Sequence, residues 1–140
     1  ITMESNAEVE ELQKQYAMPM EWFNAKALGK KLILFNTSLV PFLKNPNEKL
    51  GQIKHIISEY SQKEDCYLIY RPHPLLKQTI KRLAPTKYEE YMRILDSSDN
   101  FYLDKSSCFS RAIVFADELI TDPSSLVTLW ESTHKPITII

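Results

Sequence analysis

Glycine is scarce: the 140 residues hold two, Gly29 and Gly51. A dinucleotide-binding turn needs a G-x-G-x-x-G cluster, and a P-loop needs its glycines with a lysine. Both devices are excluded, and a nicotinamide-dependent dehydrogenase with them. Cysteine is equally scarce. Cys66 and Cys108 fit no metal-ligand spacing, and both read as buried free thiols of a reducing compartment. No apolar run approaches the ~20 residues of a membrane-spanning helix. Charge of one sign is not in excess either: 17 Lys and Arg stand against 18 Asp and Glu, a net charge of −1. Nothing electrostatic therefore draws the chain to nucleic acid or to an anionic membrane surface.

What remains is an ordinary globular composition, 44% hydrophobic and 25% charged. The length fits one domain, large enough to bury roughly two thirds of its unfolded surface. Residues 6–16, with Asn6 as cap, and 20–28, opened by Pro19 and stopped by Gly29, read as two short helices. Short apolar runs then predict strands at 31–35, 67–70, 101–103, 118–121 and 137–140. Helical patterns separate them at 47–62, with Ile53, Ile56, Ile57 and Tyr60 on one face, and at 75–83, 86–96, 107–116 and 124–133. Such alternation implies an α/β, Rossmann-like three-layer domain with a mostly parallel sheet of about five strands. Residues 1–28 read as an N-terminal helical linker segment and 29–140 as the nucleotide-binding domain. Ile1 at the start, and an end inside the run Pro136-Ile137-Thr138-Ile139-Ile140, read as a piece of a longer protein.

Two segments stand at predicted strand-to-helix turns, where open α/β sheets bind ligands. Arg71-Pro72-His73-Pro74 offers a cation and an imidazole between two prolines that hold it in one direction. His73 is readable as a plain loop residue, a phosphate donor or a general base, and is the catalytic candidate of the chain. Thr121-Asp122-Pro123-Ser124-Ser125 reads as a helix start. Asp122 is placed as cap and Pro123 as first helical residue, leaving the amides and hydroxyls of Ser124 and Ser125 to an anion. The same residues also suit a plain capped helix, and Arg71 a plain surface cation. His55 and His134 read as bland.

The order of these segments resembles the C-terminal half of the CDP-glycerol:poly(glycerophosphate) glycerophosphotransferase family, of teichoic-acid type. That family carries Arg-x-His-Pro after a strand, Thr-Asp-x-Ser-Ser about fifty residues later, and then a helix and a Lys/Arg-Pro-apolar strand, here Lys135-Pro136-Ile137. Ala116-Asp117 also fits, and the resemblance spans roughly residues 29–140. It implies a GT-B fold of two Rossmann-like domains, of which this chain holds the C-terminal one. It implies that His73, Ser124 and Ser125 sit on the pyrophosphate of a CDP-linked donor, with Arg71, Thr121 and Asp122 at the same pocket. Asn36, Thr37 and Ser38 are expected to face the interdomain cleft. Three departures stand out: Pro123 for a common aromatic, Asn36-Thr37-Ser38 for the commoner Ala-Pro-Thr, and Leu129 where an Asp is usual. Glu131 is expected to reach the cleft in place of that Asp.

The activity so implied moves glycerol phosphate from CDP-glycerol to a cell-wall or capsular polymer, with the acceptor-activating base on the other domain. Neither cofactor nor metal is required, and the fragment alone is expected to be inactive. A cytoplasmic place is expected, peripheral to the inner face of a membrane in the full-length protein. Two rivals stay open. Bacterial sialyltransferases using CMP-sialic acid also pair a His-Pro with a Ser-Ser segment. A non-catalytic nucleotide-binding or interaction domain would explain Leu129.

Overall fold

The computed structural model describes residues 17–106 and 109–140. The helix expected over 6–16 with its Asn6 cap, Ser107 as a helix start, and Cys108 lie outside the described residues. Among those described, helix α1 (Met20–Ala27) is followed by β1 (Lys31–Thr37), α2 (Leu39–Lys44), α3 (Pro46–Ser61), β2 (Cys66–Pro72), α4 (Leu76–Leu83) and α5 (Pro85–Leu95). Then come β3 (Phe101–Leu103), α6 (Phe109–Phe115), β4 (Glu118–Thr121), α7 (Leu126–Glu131) and β5 (Ile137–Ile139). Gly29, at φ +79°, ends the first helical segment in the left-handed conformation that glycine adopts without strain.

The five strands form one sheet in the order β3-β2-β1-β4-β5, and every pairing is parallel. A parallel sheet is covered on both faces, and the period-two alternation of its strands divides the core in two. Ile33, Phe35, Leu68, Tyr70 and Ile120 pack under α2, α3, α4 and α5. Leu32, Leu34, Ile69 and Leu119 pack under α1, α6 and α7. Cys66 is a buried free thiol, as expected.

Several boundaries move. β1 and β2 run two residues further than their apolar cores, so Asn36, Thr37 and Arg71 are strand residues. Helix α2 was not anticipated, and α7 is six residues long rather than ten. Within the segment expected to be linker-like, Trp22 of α1 is fully buried against Tyr102 and Phe115. Two motif residues act as struts. The Asp117 carboxylate accepts the Leu32 amide at 2.8 Å and closes the amino end of the β1–β4 pair. The Lys135 ammonium donates to the carbonyls of Ile113 and Ala116, both at 2.6 Å, and caps the C-terminus of α6.

Two stability predictions follow from this packing. Trp22→Ala should cost about 3–5 kcal/mol in urea unfolding, because its cavity is closed on every side; a loss below about 1 kcal/mol would detach α1 from the core. Burial pulls the Lys135 ammonium down to about 8, opposed by Asp117 and reinforced by Lys26. An unfolded lysine titrates at ~10.4. The unfolded chain therefore holds more protons between these values, and folding stability should rise with pH across that window. Lys135→Met should abolish the rise, which unfolding curves at pH 7 to 10 would detect.

Candidate functional site

The chain leaves β1 toward β2 on one side and returns to β4 on the other, so the carboxyl ends of β1 and β4 form the switch point of the sheet. Three consecutive residues at the end of β1 hold both motifs there. The Asn36 side-chain amide donates to Thr121 Oγ1 at 3.1 Å and reaches Ser124 Oγ at 3.5 Å. The Thr37 carbonyl accepts the His73 amide at 2.8 Å. The Ser38 amide donates to Asp122 Oδ2 at 2.7 Å. A cleft of about 380 Å³ opens over this junction, lined by Asn36, Ser38, Arg71, His73, Ser124 and Ser125 among others. Segments about fifty residues apart in sequence thus share one cavity.

The imidazole has a defined tautomer. His73 Nδ1 accepts the Leu75 amide at 3.1 Å, so the neutral ring carries its proton on Nε2. That ring offers a donor to a ligand, and Nδ1 is already occupied as an acceptor.

Other expected residues take different positions. Asp122 does not cap α7: its carboxylate grips the Ser38 amide, and the start of α7 is held instead by Ser124 Oγ accepting the Leu126 amide at 3.3 Å. Pro123 precedes the helix rather than opening it, since α7 starts at Leu126. Six residues supply little dipole, so the hydroxyls of Ser124 and Ser125 are the stronger donors at the turn. Asp122 Oδ1 is buried without a partner among the described residues. Thr121 is fully buried and donates to the Asp122 carbonyl at 2.8 Å. Thr37 also borders the cleft, but its hydroxyl is turned to the face of Ile33 and Phe35, where it bonds Tyr70 OH at 2.9 Å, which bonds Tyr91 OH at 3.0 Å. Burial raises both phenols, Tyr91 to about 12, so the chain stays neutral. Glu131 is exposed at the last position of α7 and is not among the residues lining the cleft, whereas Leu129 is.

Arg71 is neither free nor at the surface. It donates to Asp104 Oδ2 at 3.1 Å, and Arg111 donates to Asp104 Oδ1 at 3.1 Å. The Asp104 carboxylate is fully buried and also accepts the Ser106 amide at 3.0 Å. Two guanidinium groups on one carboxylate leave a net positive charge behind the cleft. Asp104 and Arg111 were not anticipated. Asp104 directly follows the third strand and Arg71 is the last residue but one of the second, and that shared position near a strand's carboxyl end was the available signal. Phe109, which also lines the cleft, had no local signal.

A family model described as CDP-glycerol:poly(glycerophosphate) glycerophosphotransferase matches residues 47–140, about two thirds of the chain. Among curated proteins, none matches. The fold resembles that of a putative UDP-N-acetylglucosamine 2-epimerase from Listeria monocytogenes, with a TM-score of 0.66 and 17% identity over 96% of this chain and 33% of that one. It also resembles S. aureus MnaA, solved with UDP, with a TM-score of 0.59 and 20% identity over 89% of this chain and 31% of that one. The chain thus spans about a third of the length of these structures. The likeness establishes a Rossmann-like three-layer fold with a parallel sheet.

The buried carboxylate at the junction is open to test. Asp122→Ala should cost about 1–3 kcal/mol, because the Ser38 amide loses its acceptor inside the protein. Asp122→Asn keeps an oxygen for that amide and should cost clearly less. Equal losses in guanidinium unfolding would mean that charge, not the Ser38 bond, is what the position supplies.

Proposed function

The chain belongs to the CDP-glycerol:poly(glycerophosphate) glycerophosphotransferase family, and we propose that it is the donor-nucleotide half of such a transferase. A second Rossmann-like domain of the same chain would close the other side of the cleft. The observation that carries this reading is the convergence of the His73 and Ser124 segments on one cavity at the sheet's switch point. The UDP held by the similarly folded S. aureus protein agrees with a pyrimidine-nucleotide diphosphate as ligand.

In this reading the pyrophosphate of CDP-glycerol accepts hydrogen bonds from the Ser124 and Ser125 hydroxyls and from His73 Nε2–H. The Arg71–Asp104–Arg111 cluster contributes its field from the wall of the cleft, where Arg71 lines it. An acceptor hydroxyl of the polymer attacks the phosphorus that bears glycerol. The bond from that phosphorus to the bridging oxygen breaks, CMP departs, and the hydroxyl proton passes to a base on the facing domain. His73 then acts as a donor that stabilises charge on the departing CMP, since its Nδ1 is engaged with Leu75. Leu129 supplies no hydroxyl contact where the family usually has a carboxylate, and Glu131 does not replace it. That observation favours a second reading, a domain that binds nucleotide without turnover. CMP-sialic acid as donor is the remaining rival.

Calorimetry with CDP and CMP tests the site. The 140-residue chain should bind both weakly and turn nothing over. Ser124→Ala with Ser125→Ala should weaken CDP about tenfold or more, from two lost charge-assisted hydrogen bonds, and should lower the melting temperature modestly, because Ser124 Oγ accepts the Leu126 amide. Unchanged affinity beside a lowered melting temperature would reduce the turn to a structural cap. His73→Gln, which keeps an N–H donor, should weaken CDP less than His73→Ala. Equal losses would remove His73 from the donor set. Stronger binding of CMP-sialic acid than of CDP-glycerol would turn the assignment to the sialyl donor.

A further inference from the structure

Tyr70, the residue before Arg71 in β2, is held on all sides. Its backbone lies in register between Phe35 and Leu103, and its carbonyl accepts the Asp104 amide at 2.8 Å. Its ring is fully buried and stacks on Phe35, with centroids 5.0 Å and planes 28° apart. The hydroxyl is thereby aimed at one place, where it meets Thr37 Oγ1 at 2.9 Å and Tyr91 OH at 3.0 Å. It donates to one neighbour and accepts from the other, so both functions of the oxygen are filled. Thr37 depends on that bond more than the rest of β1 does. β4 pairs with β1 only as far as Asn36, which leaves Thr37 paired along one edge, with β2. The Thr37 carbonyl is in turn the acceptor of the His73 amide.

We infer, resting on the donor reading of the cleft, that Tyr70 is a positioning residue of that site: its hydroxyl fixes Thr37, and Thr37 sets the carbonyl that holds the His73 segment at the cleft. Tyr70 itself is not among the residues lining the cleft, whereas Thr37 and His73 are. It acts through Thr37. Without the phenol, the Thr37 hydroxyl is left on an apolar face of the sheet, and the solvent it can reach lies in the cleft it borders. A buried hydroxyl without a partner is costly, so the Thr37 side chain turns toward that solvent, and the strand end and His73 move with it. Tyr91 has a lesser part. It fills the second position on the Tyr70 oxygen, and it lines a separate cavity where its own hydroxyl can meet water.

Tyr70→Phe in the 140-residue chain removes one oxygen and keeps the stacked ring. NMR should show the His73 amide, the His73 ring and the Thr37 methyl displaced before any nucleotide is added. Calorimetry should show CDP bound about threefold to tenfold more weakly. Thr37→Val, of the same shape without the hydroxyl, should do the same, and the double variant should lose little more than either alone. Thr37→Ser, which keeps the hydroxyl, and Tyr91→Phe, which keeps the Tyr70–Thr37 bond, should each change CDP affinity less than about twofold. Should Tyr70→Phe fail to fold, Thr37→Val against Thr37→Ser carries the same test. A lowered melting temperature beside unchanged CDP affinity and unmoved His73 resonances would overturn the positioning role and leave the hydroxyl chain a part of the core. Additive losses from Tyr70→Phe and Thr37→Val would overturn it too. If Ser124→Ala with Ser125→Ala weakens CDP and Tyr70→Phe does not, the donor reading stands and the role of Tyr70 falls. If neither weakens CDP, the donor reading fails and the role of Tyr70 in it falls as well.

Discussion

The carboxyl end of β1 is the constraint on which the rest of the site depends. β1 is the central strand, paired on both edges and covered on both faces, so its backbone has no freedom to shift. Asn36, Thr37 and Ser38 then work in three directions. A side chain reaches the Thr121 segment, a carbonyl takes the His73 amide, and an amide takes the Asp122 carboxylate. Two loops that would otherwise sample many conformations are tied to the most rigid element of the fold. That is how the domain spares itself glycine. The turns need no left-handed conformation, because side chains and not a flexible backbone hold them closed.

Electrostatics adds a second layer. A lone carboxylate buried at Asp104 would be costly, and two arginines with an amide satisfy it. The excess positive charge sits between β2, β3 and α6, at the edge of the cleft. Arg71 contributes as part of that cluster rather than as an exposed hand for phosphate. The orphaned Asp122 Oδ1 works in the opposite sense, a negative atom under the same turn. The cleft therefore presents the Ser124 and Ser125 hydroxyls and the His73 imidazole, with the Arg71 guanidinium in its wall already engaged by Asp104.

Much of this was legible in the residues. Local runs of three to five residues gave away each strand, and the unbroken apolar run Leu32, Ile33, Leu34, Phe35 marked a buried one. The order of Arg71–His73, Ser124–Ser125 and Lys135–Pro136 carried the family. The misreadings have common causes. Polar residues that extend a strand look like a turn, so Asn36 and Thr37 were read as loop, and with the strand cut short the inward direction of Thr37 was hidden. A Thr-Asp-Pro-Ser sequence is the local signal of a capped helix, but Asp122 found a stronger donor in the Ser38 amide.

The sequence by itself determined every strand and all the described helices but α2, the layered architecture and the exclusion of glycine-rich phosphate loops, because those follow from periodicity and composition within a dozen neighbouring residues. Only the tertiary structure decided the strand order, the capture of Arg71 by Asp104 and Arg111, the tie of Asp122 to Ser38 and the distance of Glu131 from the cleft. Asp104 lies 33 positions from Arg71, and Asp122 lies 84 from Ser38. Contacts at such separations depend on where each crossover returns the chain to the sheet, and no local pattern encodes that. The Arg71–Pro74 segment lines a second cavity on the β3 side as well as the cleft, and that division belongs to the same class: it exists only once β2 has been set between β1 and the edge strand β3.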